Sequence, residues 1–180
     1  MSALTPIVKR LAEALDRCAI PYFVCGSVAS GIHGIHRTAF NVDLVADLTD
    51  QRRDDLTREF NGAFRALSGG PPFHYVHYAS SYMLHIFPLV DDPYQRTEFS
   101  RRVLTDFVLD GVTASLPLAT AEDTLLTKLA WYRAGGEVSE RQWNDVLGIV
   151  AVQGERLDRA YLTQWAAYLK VTDLLQEVLP

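Results

Sequence analysis

Two short apolar runs joined by a small polar signature constrain this chain more than any other feature. Tyr22-Phe23-Val24-Cys25 ends in Gly26-Ser27, and thirteen residues later Asn41-Val42-Asp43-Leu44 opens a second run that continues to Leu48. Runs of this length, rich in aromatic and β-branched residues, predict strands buried in a sheet. Alternate residues of a strand share a face, so the side chains of Asn41 and Asp43 emerge together, about 7 Å apart along the chain. An ionised carboxylate in an apolar strand needs a partner or a metal, and two oxygen donors on one face can converge on one ion. The intervening stretch 28–35 is small or apolar and predicts a short helix starting at Gly26-Ser27, although Gly31 and Gly34 weaken it. A helix opening on Gly-Ser offers unpaired N–H groups and the positive end of its dipole to an anion such as phosphate.

Around this signature the first 118 residues predict a mixed α/β unit. Thr5-Pro6 followed by Ile7, Leu11, Ala14, Leu15 and Cys18 gives an N-cap, a proline in the first turn and a helical stripe over 6–18. Leu56, Phe60, Ala63, Phe64 and Leu67 sit at helical spacing and predict one helix over 50–67, stopped by Ser68-Gly69-Gly70-Pro71-Pro72. Strands are expected over 73–78 and 82–87 around Ala79-Ser80-Ser81, and a hairpin over 103–109 and 112–116 around Asp110-Gly111. From Thr120 the pattern becomes helical. Thr120 with Asp123 and Ser139 with Gln142 resemble capping boxes and Gly154 fits a helix stop, so helices are expected near 121–134, 140–153, 158–169 and 172–178. The organisation expected is a core over 1–118 with a C-terminal helical part, 119–180, packed on it.

Composition narrows the classes. At 180 residues, with 48% hydrophobic and 22% charged residues, the chain is long enough for a real core and unlike collagen or a disordered scaffold. Its net charge of -5 argues against a surface built mainly to neutralise nucleic-acid phosphates, although a local basic groove is compatible with it. Cys18 and Cys25 are too few for a disulfide framework and lack CxxC spacing, so buried thiols are expected. No apolar stretch approaches the roughly 20 residues that span a bilayer. Residues 1–15 lack the basic start and apolar middle of a secretion signal, so the expectation is a cytoplasmic protein with no membrane partner. His33 and His36, or His74, His77 and His85, could be taken for zinc ligands, but their spacing is poor for it. Trp131, Trp143 and Trp165 lie on amphipathic helices and are most simply packing residues.

Gly26-Ser27-Val28-Ala29-Ser30, Arg37-Thr38 and Asn41-Val42-Asp43-Leu44-Val45-Ala46-Asp47-Leu48 together resemble the DNA polymerase β-type nucleotidyltransferase superfamily. The nearest branch is the bacterial one related to AbiEii and MenT toxins and to minimal nucleotidyltransferases. The likeness continues through Phe87-Pro88, Arg101-Arg102, Glu122-Asp123, the segment 128–133 and Arg141-Gln142-Trp143-Asn144-Asp145. It implies an α/β (α+β) nucleotidyltransferase-like fold, a mixed sheet flanked by helices with a C-terminal helical part. It also implies three carboxylates holding two Mg²⁺ ions on the phosphates of an NTP, and release of pyrophosphate as an acceptor hydroxyl attacks.

Two of those carboxylates are missing. Asn41 stands for the first aspartate of the pair, and His85, in His85-Ile86-Phe87, stands where the third carboxylate is expected. Asp43 alone remains, with Asn41 as a neutral oxygen donor beside it, so metal affinity should fall and the triphosphate must supply much of the neutralising charge. His85 is a poor Mg²⁺ ligand but suits Mn²⁺ or Zn²⁺, and its imidazole can accept a proton. Asp47, Asp91 and Asp92 are weaker substitutes. Gly26, Ser27 and Arg37 face the phosphates in this reading, and Lys128, on an otherwise apolar helix, matches the family's phosphate-reaching lysine, with a lysine snorkelling over its own helix as the plainer alternative. Arg133 and Arg141 are weaker candidates, and Asp145 either orients such a base through an ion pair or, as the plainer expectation, faces solvent. Two functions follow. One is binding of Mg·NTP, with Mn²⁺ as a second metal, and transfer of NMP to an RNA or protein hydroxyl, as in a toxin of a toxin–antitoxin pair. The other is a pseudoenzyme that keeps the fold and serves as a regulatory or partner-binding module.

Overall fold

The computed structural model describes residues 4–60, 62–109 and 112–179. Helix α1 spans Leu4–Arg17 and thus contains Thr5, which is not its cap; its stripe of Ile7, Leu11, Ala14 and Leu15 is buried. Strand β1, Tyr22–Cys25, is buried along its whole length, and helix α2, Gly26–His33, follows with no intervening loop. Strand β2, Asn41–Ala46, returns antiparallel to β1 with Asp43 directly opposite Cys25. Helix α3, Asp50–Glu59, leads to β3, Phe64–Ala66, then to β4, Phe73–His77, and β5, Met83–Pro88. Helix α4, Pro93–Arg101, precedes the antiparallel pair β6, Val103–Leu109, and β7, Val112–Leu118. The Asp110-Gly111 turn expected between these strands lies outside the described residues. Helices α5, Ala121–Ala134, α6, Glu140–Gln153, α7, Arg159–Leu169, and α8, Thr172–Val178, complete the chain.

The seven strands form one mixed sheet in the order β3-β4-β5-β2-β1-β7-β6. β2 is antiparallel to β1 and parallel to β5, so the strand bearing Asn41 and Asp43 lies at the middle of the sheet. Strand alternation divides the side chains. Val24, Val42, Leu44, Leu84 and Ile86 face the core built with α1 and α3 (Leu11, Leu15, Leu56, Phe60). Phe23, Cys25 and Val45 form a second cluster with Phe87 and Phe99. Asp43 and His85 share that second face by register.

The capping reading holds. Thr120 and Ser139 accept from the backbone N–H groups of Asp123 and Gln142, and α6 stops at Gly154. A third core, made of Leu125, Leu129, Val146, Ile149, Leu162 and Leu175, joins the last four helices, and Tyr94 of α4 belongs to it.

Two further departures from the sequence reading stand out. The helix expected over 50–67 ends at Glu59, and Phe64–Ala66 is a strand. Gly62 adopts φ +75, a left-handed conformation that breaks the helix before the Ser68–Pro72 cluster is reached. Phe64 still packs on Phe60, with ring centroids 4.6 Å apart, so the apolar spacing that suggested a continuing helix instead joins a helix end to an edge strand. Helix α4 was not anticipated. Asp92 caps it by accepting from the Gln95 N–H, and Pro93 takes its first turn, a start signal hidden by the low apolar content of the segment.

Candidate functional site

Asp43 is buried, at 5% exposure, on the central strand. Its Oδ1 accepts from Asn41 Nδ2 at 2.6 Å and faces His85 Nδ1 at 2.9 Å. The pairing follows from register. Asn41 and Asp43 are two apart on β2, and His85 is directly opposite Asp43 on β5. Because an ionised carboxylate can only accept, Nδ1 of His85 is the donor of this pair. Asn41 therefore meets Asp43 through its amide N–H, as a donor to the carboxylate. Oδ2 of Asp43 has no hydrogen-bond partner among the described residues and lies against Gly26. A Cβ at Gly26 would come within 2.2 Å of Oδ2, and the residue's φ is +62, so both space and backbone require glycine.

The second half of the site is cationic. Arg37 grips Asp145 from Nε at 2.6 Å and from a terminal nitrogen at 2.7 Å, and that same terminal nitrogen donates to Ser27 Oγ at 2.8 Å. Lys128 Nζ donates to Asp145 Oδ2 at 2.7 Å and to Gln142 Oε1 at 2.8 Å. Lys128 is 2% exposed, which removes the snorkelling reading. Asp145 is 7% exposed and holds both cations, so the ion-pair reading holds and the plainer expectation of solvent fails. The signal for it was present in the sequence. A lysine on an apolar helix must find a buried counter-ion, and Asp145 sits on α6 beside the core residues Val146 and Ile149. Burial lowers the Lys128 ammonium, partly offset by Asp145. Burial alone would raise Asp145, but the hydrogen bonds from Arg37 and Lys128 outweigh it and hold the carboxyl below its usual value.

Ser27, Asn41, Asp43, His85 and Lys128 line one cleft of about 210 Å³, with Phe87, Trp131, Arg141 and Gln142 completing its lining. The remaining candidates lie elsewhere. Asp47 pairs with Arg52, Asp91 with Arg96, and Asp92 caps α4, while Arg133 pairs with Glu137 and Asp173. His33 Nε2 lies 2.7 Å from the Ala119 carbonyl. Among the described residues no three His, Cys, Asp or Glu side chains group as a metal site. One carboxylate, already engaged through Oδ1, does not fit a pair of divalent ions.

No protein-family model matches the chain, and no curated protein matches it in sequence. Solved structures do resemble it. ANT(2'')-Ia in complex with adenylyl-2''-tobramycin matches with a TM-score of 0.65 at 12% identity, covering 94% of this chain and 98% of that one. An antigenic nucleotidyltransferase-like protein from Paracoccidioides brasiliensis matches at 0.62 and 18% identity, over 97% and 90% of the two chains. The lincosamide antibiotic adenylyltransferase LnuA, lincomycin-bound, matches at 0.56 and 10% identity, over 82% and 97%. At these identities the likeness is one of architecture, and it spans sheet and C-terminal helices together: this chain has the nucleotidyltransferase fold.

Proposed function

We propose that the cleft binds a magnesium nucleoside triphosphate and that the chain transfers NMP slowly to an acceptor hydroxyl on RNA or protein. One observation carries the reading. Arg37 and Lys128 converge on a single carboxylate, leaving a net positive charge; Arg37 donates to Ser27 at the start of α2, and Ser27, Lys128 and Asp43 line the same cleft. Phosphate oxygens suit the helix N-terminus and that excess charge, with Gly26 allowing close approach. Magnesium arrives with the triphosphate as part of the substrate, and Asp43 Oδ2 is the free carboxylate oxygen for it, with the Asn41 carbonyl as a neutral donor; Mn²⁺ suits His85 better. In the transfer, the acceptor oxygen bonds to the α-phosphorus, the bond to the bridging oxygen breaks, and pyrophosphate leaves. The acceptor proton passes to His85 Nε2, and Asp43 stabilises the imidazolium formed.

A second reading rests on Asn41 and His85 themselves: a catalytically inactive module, regulatory or partner-binding, of a toxin–antitoxin type system. Kinship with the AbiEii and MenT branch is supported by the motif likeness alone. Transfer of α-phosphate label from each Mg·NTP and Mn·NTP into RNA and protein separates the two. Label lost in Asp43→Ala supports the enzyme, and Asn41→Asp should raise the rate. Silence from the native chain with label from Asn41→Asp combined with His85→Asp supports the inactive module. Silence from both chains, with no nucleotide binding, overturns the proposal.

A further inference from the structure

Past Phe87 and Trp131, whose rings lie 5.7 Å apart and line the nucleotide cleft, the same sheet face carries a second cavity of about 240 Å³. Val45, Tyr94 and Ala130 contribute walls to it, and Glu98 of α4 lines it. Glu98 is 4% exposed. Its hydrogen-bond partner is the Thr127 hydroxyl, at 3.3 Å from Oε1, and among the described residues no cation pairs with it. A buried carboxylate without a counter-ion is costly, and nothing in the nucleotide reading uses this one. The groups around it do not relieve it. Tyr94 on its own helix, Asp123 and Thr127 of α5, Cys25 of β1 and Tyr161 of α7 surround it, and Arg101, one turn along α4, is taken up by Glu122, Asp123 and the Tyr161 ring. Burial, and then the charge of Asp123, push its carboxyl up to about 8.

A cavity with aromatic rings for walls and two carboxylates in its lining, Asp92 held by the Gln95 N–H and the Tyr168 hydroxyl and Glu98, among the described residues, by Thr127 alone, complements a cation on an apolar body. Ring faces attract positive charge, and an ammonium supplies the missing counter-ion. A dry cavity of about 150 Å³ holds one benzene ring. The larger space here suits one ring with a short amine arm. We propose that this cavity binds a small organic monocation, an ammonium group on a flat apolar body, with Glu98 as its counter-ion. The site adjoins the nucleotide cleft, with which it shares Phe87 and Trp131, but it does not depend on the reading of that cleft.

The test is isothermal titration of phenethylamine into the full chain near pH 7, in two buffers of different ionisation enthalpy, with phenethyl alcohol as the uncharged match. The amine is expected to bind one to one and to displace a proton from Glu98. The alcohol is expected to bind at least about tenfold more weakly, as the loss of a charge-assisted contact implies, and to release no proton. Glu98→Gln keeps the shape and should abolish the preference for the amine. Ala130→Leu should block both ligands by filling the space, and neither variant should change nucleotide binding. Equal affinity for amine and alcohol, amine binding unchanged in Glu98→Gln, or no amine binding by the native chain would each overturn the proposal.

Discussion

Asp145 neutralises two cations that would otherwise be left against the core, so its loss should exceed that of a surface pair. Asp145→Ala leaves Lys128 buried and unpaired and should cost about 3–5 kcal/mol, read as a lowered midpoint of chemical denaturation. Its folded value is depressed below the ordinary 3.8, so its stabilisation is fully present above that value and is lost as pH falls through the lower folded one. Glu98 has the opposite sign. Its value rises from 4.5 in the open chain to about 8 when buried, so ionisation opposes folding and stability falls as pH climbs between those values. Glu98→Gln should therefore stabilise the protein by on the order of a few kcal/mol near pH 9 and leave it almost unchanged near pH 4, as thermal unfolding at the two pH values would show. Gly26→Ala should destabilise by roughly 1–3 kcal/mol, because the methyl meets Asp43 and the backbone is left-handed. Larger midpoint loss from Gly26→Ala than from a substitution at exposed Gly70 would bear this out.

Among the elements, α4 shows where local signals and packing part company. Its polar sequence gave no helical stripe, yet Asp92 caps it, Tyr94 enters the C-terminal core and Glu98 lines the second cavity. Asp92→Ala removes the cap and the acceptor of the Tyr168 hydroxyl, and should cost about 1 kcal/mol in denaturant titrations. The helices after Thr120 were legible because caps and periodicity agree there, as at Thr120 and Ser139. The segment 60–67 was not, because Phe60 and Phe64 satisfy a helical spacing and a helix-to-strand corner equally well, and Gly62 decides between them.

Across the whole molecule, α2 and the loop after it join the sheet to the helical part. His33 meets the Ala119 carbonyl, Gln153 donates to the His33 carbonyl at 2.5 Å, and Arg37 reaches across to Asp145. The division near residue 118 is proposed as one of topology, with both parts unfolding together. All three tryptophans lie in the helical part, so their fluorescence should follow the same denaturation curve as far-UV circular dichroism; separated transitions would refute this. The sequence by itself determined the two central strands, the Gly26-Ser27 helix start and the placing of Asn41 with Asp43 on one face. Each is set by a period of two or by a residue's own chemistry, which needs no distant partner. Only the tertiary structure decided that Asp145 is buried between Arg37 and Lys128, that His85 stands against Asp43, and that Glu98 has no counter-ion among the described residues. These depend on which surfaces meet across 17 to 108 positions of chain, as from Lys128 or Arg37 to Asp145, and burial then sets how strongly each charge must be answered.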